Sequence, residues 1–93
     1  MTNYDYKRIE RMLLELLDAL RVVFGQSERE EVEEFIDAGE YGIALETLVD
    51  IVCEEDKAIG ADAVEIVRDV AVIMGLNGKD FEDKLSDHII GAK

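Results

Sequence analysis

The chain has 93 residues, of which 23 are acidic and 10 basic, so its formal net charge is -13. Hydrophobic residues make up 48% of it, which excludes a disordered acidic tail and suits one small domain over residues 1–93. The absence of proline and the presence of seven glycines favour helices separated by glycine turns. The negative charge argues against nucleic acid or an anionic membrane as a direct partner.

The first two predicted helices are joined at a glycine. The first covers residues 3–24 and is expected to end at Gly25, which takes a left-handed cap easily. Ser27 and Glu30 have the spacing of a capping box, so a second helix is expected to begin there and to end at Gly39. The first helix has apolar residues at steps of four and three, typical of a buried seam: Ile9, Leu13, Leu16, Leu20 and Val23.

Three more helices follow in chain order. The third is predicted over residues 40–56, the fourth lies between the breaks at Gly60 and Gly75, and the fifth covers residues 80–90. The last of these is the weakest, with its apolar face formed by Phe81, Leu85, His88 and Ile89. The sequence therefore predicts an all-α fold, a single-domain bundle of four to five helices.

The residue types needed for catalysis or metal binding are scarce. Cys53 is the one cysteine and His88 the one histidine, so an internal disulfide, a cysteine-rich zinc site and a two-histidine metal motif are excluded. Cys53 lies among acids that would raise its thiol pKa, and both residues are interpreted as structural. We expect no enzyme activity, no cofactor and no metal. The N-terminus lacks the pattern of a signal peptide and no apolar run could span a membrane, so a cytoplasmic location is expected.

The acidity is concentrated in one third of the chain. Residues 28–56 hold 12 acidic residues against Arg29 alone, a net charge of -11, whereas residues 1–26 are balanced. On the third predicted helix Glu46, Asp50 and Glu54 recur every four residues, which places them in one axial stripe. Because like charges at this spacing weaken a helix, the stripe indicates a role in binding rather than in stability.

The segment from Phe35 to Glu46 contains the pattern D-x-G-E-Y-G-x-A-L-E. It resembles the helix-turn-helix signature of small bacterial immunity proteins, including the MafI family and the helical immunity proteins of contact-dependent growth inhibition systems. The resemblance covers about residues 30–56. It implies a cytoplasmic protein that binds and neutralises a cognate toxin domain, commonly a nuclease.

Charge and resemblance together predict a surface that docks on a basic cleft of the toxin, as a monomer in a 1:1 complex. Tyr41 is included because a tyrosine beside carboxylates suits an interface. The partner-binding residues predicted for this surface are Glu33, Asp37, Glu40, Tyr41, Glu46, Asp50 and Glu54.

Three alternatives remain open at this point. The chain could be an acidic regulatory or adaptor bundle that binds another basic protein, including a nucleic-acid mimic that acts on a DNA-binding protein. It could be a structural module that forms homo-oligomers through the apolar seam of the first helix. A small-molecule enzyme would need a pocket of convergent polar groups that the sequence does not reveal.

Overall fold

The computed structural model describes residues 5–90, which form five α-helices and a final 3-10 turn. This confirms the prediction of an all-α bundle of four to five helices. The elements in chain order are α1 (Tyr6–Ala19), α2 (Gln26–Asp37), α3 (Tyr41–Glu54), α4 (Ala61–Ile73), α5 (Gly78–Leu85) and the 3-10 turn (Ser86–His88).

The helices most extensively in contact are α4 with α5 and α2 with α3, and α1 packs against α2, α3 and α4. The apolar seam predicted for the first helix faces inward: Ile9, Leu13 and Leu16 are at most 1% exposed. The buried apolar side chains of the described residues form one continuous cluster to which every helix contributes. Burial of these faces supplies the main stabilisation, at roughly 25 cal/mol per Å² of apolar surface.

The first helix is shorter than predicted, because it ends at Ala19 rather than at Phe24. Residues 20–24 form a turn in which the Val23 amide donates to the Leu20 carbonyl, a closer spacing than in an α-helix. Leu20 and Phe24 nevertheless remain buried. The apolar spacing therefore continues past the end of the helix, and the periodicity could not show where the helix stops.

The start of α2 also differs from the prediction. Gly25 precedes the helix with a φ of -73°, so it is the N-cap of α2 and not a left-handed cap of α1. Its amide donates to the Glu28 side chain at 2.9 Å, which makes Glu28 the residue that closes the cap. The predicted box of Ser27 and Glu30 is wrong by two residues, since both lie within the helix.

Gly39 and Asp56 delimit α3. Gly39 has a φ of 77° between α2 and α3, which confirms the predicted glycine turn. Asp56 has a φ of 52° and ends the helix, which therefore covers Tyr41–Glu54 instead of residues 40–56. Aspartate is one of the few residues other than glycine that adopt this conformation, so no glycine marks the break.

The C-terminal region is less helical than predicted. Asn77 caps α5 by accepting a hydrogen bond from the Lys79 amide at 3.0 Å, and α5 then ends at Leu85 rather than at Ile90. Ile59 and Ile89 form an isolated parallel bridge. The Ile59 amide donates to the His88 carbonyl at 2.7 Å, which draws the chain out of the helix and ties it to the segment between α3 and α4.

Candidate partner-binding surface

The outer surface between α2 and α3 forms an acidic groove of about 340 Å³. Thr47 and Ile51 contribute to its lining. The other lining residues are all carboxylates, two from α2 and three from α3 and its end: Glu28, Glu31, Asp50, Glu54 and Glu55. We call this set the α2–α3 groove. It forms because the tight Gly39 turn brings the two acidic helices side by side.

One carboxylate of the α2–α3 groove is compensated within the protein. Glu28 accepts from the Gly25 amide and forms an ion pair with Lys57 at 3.0 Å. These two contacts, the backbone hydrogen bond first, hold the pKa of Glu28 below its usual value. Lys57 is itself largely buried and donates to the Val23 carbonyl at 2.8 Å, so it is a structural cation.

The remaining four carboxylates of the α2–α3 groove form no ion pair among residues 5–90. Asp50 and Glu54 on α3 and Glu55 directly after it are exposed, and Glu31 is exposed across the groove on α2. Four close negative charges concentrate the potential of a cleft and attract cations. The groove is therefore a surface suited to lysine or arginine side chains of a partner.

Glu46 belongs to the same exposed stripe as Asp50 and Glu54 but lines a separate depression between α3 and α5. That depression also contains Asp80, Asp83 and Lys84, so its charge is mixed. The stripe predicted from the spacing therefore lies on the outside of α3, with its two C-terminal members in the α2–α3 groove.

Three predicted residues of α2 and the following turn lie away from the groove lining. Glu33 is half-exposed and approaches Arg29 at 3.7 Å along the same helix. Asp37 and Glu40 are exposed on either side of Gly39. Glu40 precedes α3 but forms no side-chain cap with it.

Tyr41 faces away from the acidic stripe. Tyr41 and Asp50 are nine residues apart, which at 3.6 residues per turn places them on opposite sides of α3. The Tyr41 ring packs on the core and lies 6.0 Å from the Tyr6 ring of α1, at a tilt of 33°. Desolvation raises the pKa of the Tyr41 phenol, and the Glu10 carboxylate beside it raises the pKa further. From the sequence, Tyr41 was included in the acidic surface because the two are close along the chain. In the structure Tyr41 and the stripe residue Asp50 lie on opposite sides of α3.

Sequence reasoning missed three carboxylates of the groove: Glu28, Glu31 and Glu55. Glu28 and Glu31 are three residues apart and precede the apolar residues Val32 and Phe35, so both lie along one edge of the core-facing side of α2. That spacing was a usable signal. It acquires meaning only once α3 is known to lie along this edge of α2.

From the sequence, Cys53 and His88 were interpreted as structural residues, and their contacts fit that role. The Cys53 thiol lies 3.6 Å from the Lys84 carbonyl, and burial followed by the Asp50 carboxylate raises its pKa. The His88 ring nitrogen Nδ1 lies 3.1 Å from the Lys57 carbonyl and 3.4 Å from the Asp56 carboxylate. Within residues 5–90 no three histidine, cysteine or carboxylate side chains are arranged to hold a metal ion.

Comparison with known proteins found no match: no protein-family model, no curated protein and no solved structure matches this chain. None of the helices in residues 5–90 combines the length and the apolar character needed to cross a membrane.

Proposed function

We propose that this protein is an immunity protein that binds and neutralises a basic toxin domain through the α2–α3 groove. The observation that carries the proposal is the cluster of four groove carboxylates, Glu31, Asp50, Glu54 and Glu55. None of them forms an ion pair with a cation of the described residues. Such a cluster costs the isolated protein free energy through repulsion, whereas it gains favourable interactions when a basic surface approaches.

The class of partner comes from the resemblance carried by residues 35–46. Those residues form the end of α2, the Gly39 turn and the start of α3, and so they set how the two walls of the groove meet. Toxins of this kind that act on nucleic acids have basic clefts, since phosphate binding depends on lysine and arginine. An acidic groove occupying such a cleft would exclude the substrate.

The first test uses the toxin domain that we expect to be encoded by the reading frame immediately upstream. We expect it to be a variable basic domain at the C-terminal end of a large secreted protein. Production of that domain alone should kill cells, and co-production of this protein should restore growth. Continued killing when both proteins are present at equal amounts would refute the immunity role.

The second test removes two groove charges with the substitutions Asp50→Asn and Glu54→Gln. We expect the association rate constant with the toxin domain to fall about tenfold at low salt, with a weaker dependence on ionic strength. The matched control, Glu15→Gln with Asp87→Asn, removes the same charge from exposed positions on α1 and after α5. Stopped-flow kinetics at several salt concentrations would measure both, and equal rates for the two double variants would exclude the groove as the contact.

A further inference from the structure

A second concave surface lies on the other side of the Gly39 turn from the α2–α3 groove. It is mainly apolar, has a volume of about 210 Å³, and lies where the start of α1 meets the turns that follow α2 and α4. Small-molecule pockets measure about 300–1,000 Å³, so this depression suits one large side chain better than a ligand. We call it the Tyr41 depression, and besides Gly39 its lining residues are Tyr6, Ile9, Tyr41, Gly42, Met74 and Leu76.

Gly42 is the unexplained member of the Tyr41 depression. It lies in the first turn of α3 without a positive φ, so its backbone conformation does not require glycine. Apart from its chain neighbours and the backbone of its own helix, a Cβ atom built there would meet nothing within 4 Å, so packing against other parts of the fold does not require glycine either. Glycine weakens a helix relative to alanine. Its one visible consequence is an open floor in a depression that faces outward.

The surroundings of the Tyr41 depression indicate what could enter it. Tyr6 is 51% exposed and Leu76 is 36% exposed, so apolar surface remains available at the rim. Asp37 and Glu40, both exposed, flank the lining residue Gly39 along the chain. An apolar floor with exposed carboxylates close to its lining residues in the chain matches an aromatic or long aliphatic side chain with basic neighbours, and buried aromatic anchors of this kind dominate many interfaces.

We propose that the Tyr41 depression receives one aromatic or long aliphatic anchor side chain of a basic protein partner, whose adjacent lysine or arginine residues pair with Asp37 and Glu40. The identity of that partner rests on the proposed function. The chemistry of the anchor side chain does not depend on it. It gives Tyr41 a role as a wall of the anchor site, in contrast to a role within the acidic stripe.

The probe for this proposal is an end-capped pentapeptide, Lys-Lys-Trp-Lys-Lys, titrated into the full chain. Because the protein contains no tryptophan, the emission of the peptide alone reports on burial of its indole ring. We expect the emission to shift to shorter wavelength on binding. The peptide with alanine in place of tryptophan, measured by competition, should bind about tenfold more weakly.

Two variants localise the binding. Gly42→Leu places a bulky side chain in the Tyr41 depression at a position where a Cβ atom has room, and it should weaken binding of the tryptophan peptide about tenfold. Ala19→Leu adds the same bulk at an exposed position at the far end of α1, about 20 Å away along the helix, and should leave binding unchanged. Circular dichroism of both variants would establish that each retains its helices.

Three results would overturn the anchor site: no binding of the tryptophan peptide, equal binding of the alanine peptide, or equal binding by the Gly42→Leu variant. Failure of the immunity role is distinguishable from these results. A protein that binds the tryptophan peptide in the Tyr41 depression but does not protect cells from the upstream toxin contradicts the proposed function and leaves the anchor site standing.

Discussion

Among single residues, Lys57 connects three parts of the fold. Its ammonium group donates to the Val23 carbonyl at 2.8 Å, pairs with Glu28 at 3.0 Å and lies 5.5 Å from the centre of the Phe24 ring. A methionine at this position keeps the length of the side chain but removes the donor. Lys57→Met should therefore lower the free energy of unfolding by about 1–2 kcal/mol, because a charged hydrogen bond is lost in a poorly solvated site.

Urea denaturation of the Lys57→Met variant would measure this loss. Lys84→Met is the matched control, since Lys84 is exposed and also lies over a phenylalanine ring, that of Phe81 at 5.8 Å. The control removes one charge and one ring contact without removing a hydrogen bond to a carbonyl. An equal loss in both variants would show that the bond to Val23 and the ion pair with Glu28 together contribute nothing.

Glu28, the ion-pair partner of Lys57, makes the stability of the fold depend on pH. Its pKa is held below the usual value, first by the Gly25 amide and then by Lys57. A group whose pKa is lower in the folded state stabilises the fold above its unfolded pKa, and this contribution disappears as the pH falls through the folded value. The difference in stability between the wild type and Glu28→Gln should therefore shrink between about pH 5 and pH 3.

Urea midpoints measured across that pH range would test the prediction for Glu28. Glu31→Gln, one helical turn further along α2, removes the same charge without a contact to Lys57 and serves as the control. A difference between wild type and Glu28→Gln that stays constant with pH would contradict the assignment.

Among the helices, α3 has one glycine in the turn before it and another in its first turn, and their roles are opposite. Gly39 has a φ of 77°, a conformation that an L-residue with a Cβ atom adopts at a cost of about 1–2 kcal/mol. Gly42 lies inside the helix with open space where a Cβ atom would be. We expect Gly39→Ala to destabilise the protein by about 1 kcal/mol and Gly42→Ala to stabilise it by about 0.5 kcal/mol.

Thermal unfolding of the two alanine variants would compare them directly. Each is the control for the other, because the same methyl group is added at positions three residues apart. A destabilised Gly42→Ala variant would mean that the start of α3 needs glycine for the fold itself. It would also remove the observation from which the anchor site was inferred.

Over the whole molecule, the net charge of -13 acts across a body of only 42 × 27 × 18 Å. At about 0.01 M salt the screening length is about 30 Å, so the carboxylates repel one another through the entire protein, whereas at about 0.15 M it falls to about 8 Å. We expect the melting temperature to rise by several degrees between these conditions, since screening relieves the repulsion.

A triple variant tests whether the groove carboxylates are a main source of this charge repulsion. Glu31→Gln, Asp50→Asn and Glu54→Gln together remove three unpaired charges of the α2–α3 groove and should raise the melting temperature at low salt. They should also reduce its dependence on salt. Calorimetry at the two salt concentrations would test this, and an unchanged low-salt melting temperature would show that the groove carries no electrostatic cost.

The sequence alone was sufficient to predict the helical class, the inward seam of α1 and the helix breaks at Gly39 and Gly75, whose left-handed φ angles only the structure shows. These features are local, because they depend on the spacing of apolar residues within one helix and on the torsion angles that glycine permits. The predicted stripe of Glu46, Asp50 and Glu54 on the outside of α3 follows from the same periodicity and is exposed in the structure.

The packing of the helices decided the rest. It kept Phe24 in the core although α1 ends at Ala19, and it directed Tyr41 toward α1, on the side of α3 opposite Asp50. It also placed Glu31 of α2 opposite Glu54 of α3 to form the groove. Periodicity gives the face of a helix on which a residue lies, but which neighbour covers that face depends on contacts between segments far apart in sequence, and only the tertiary structure contains them.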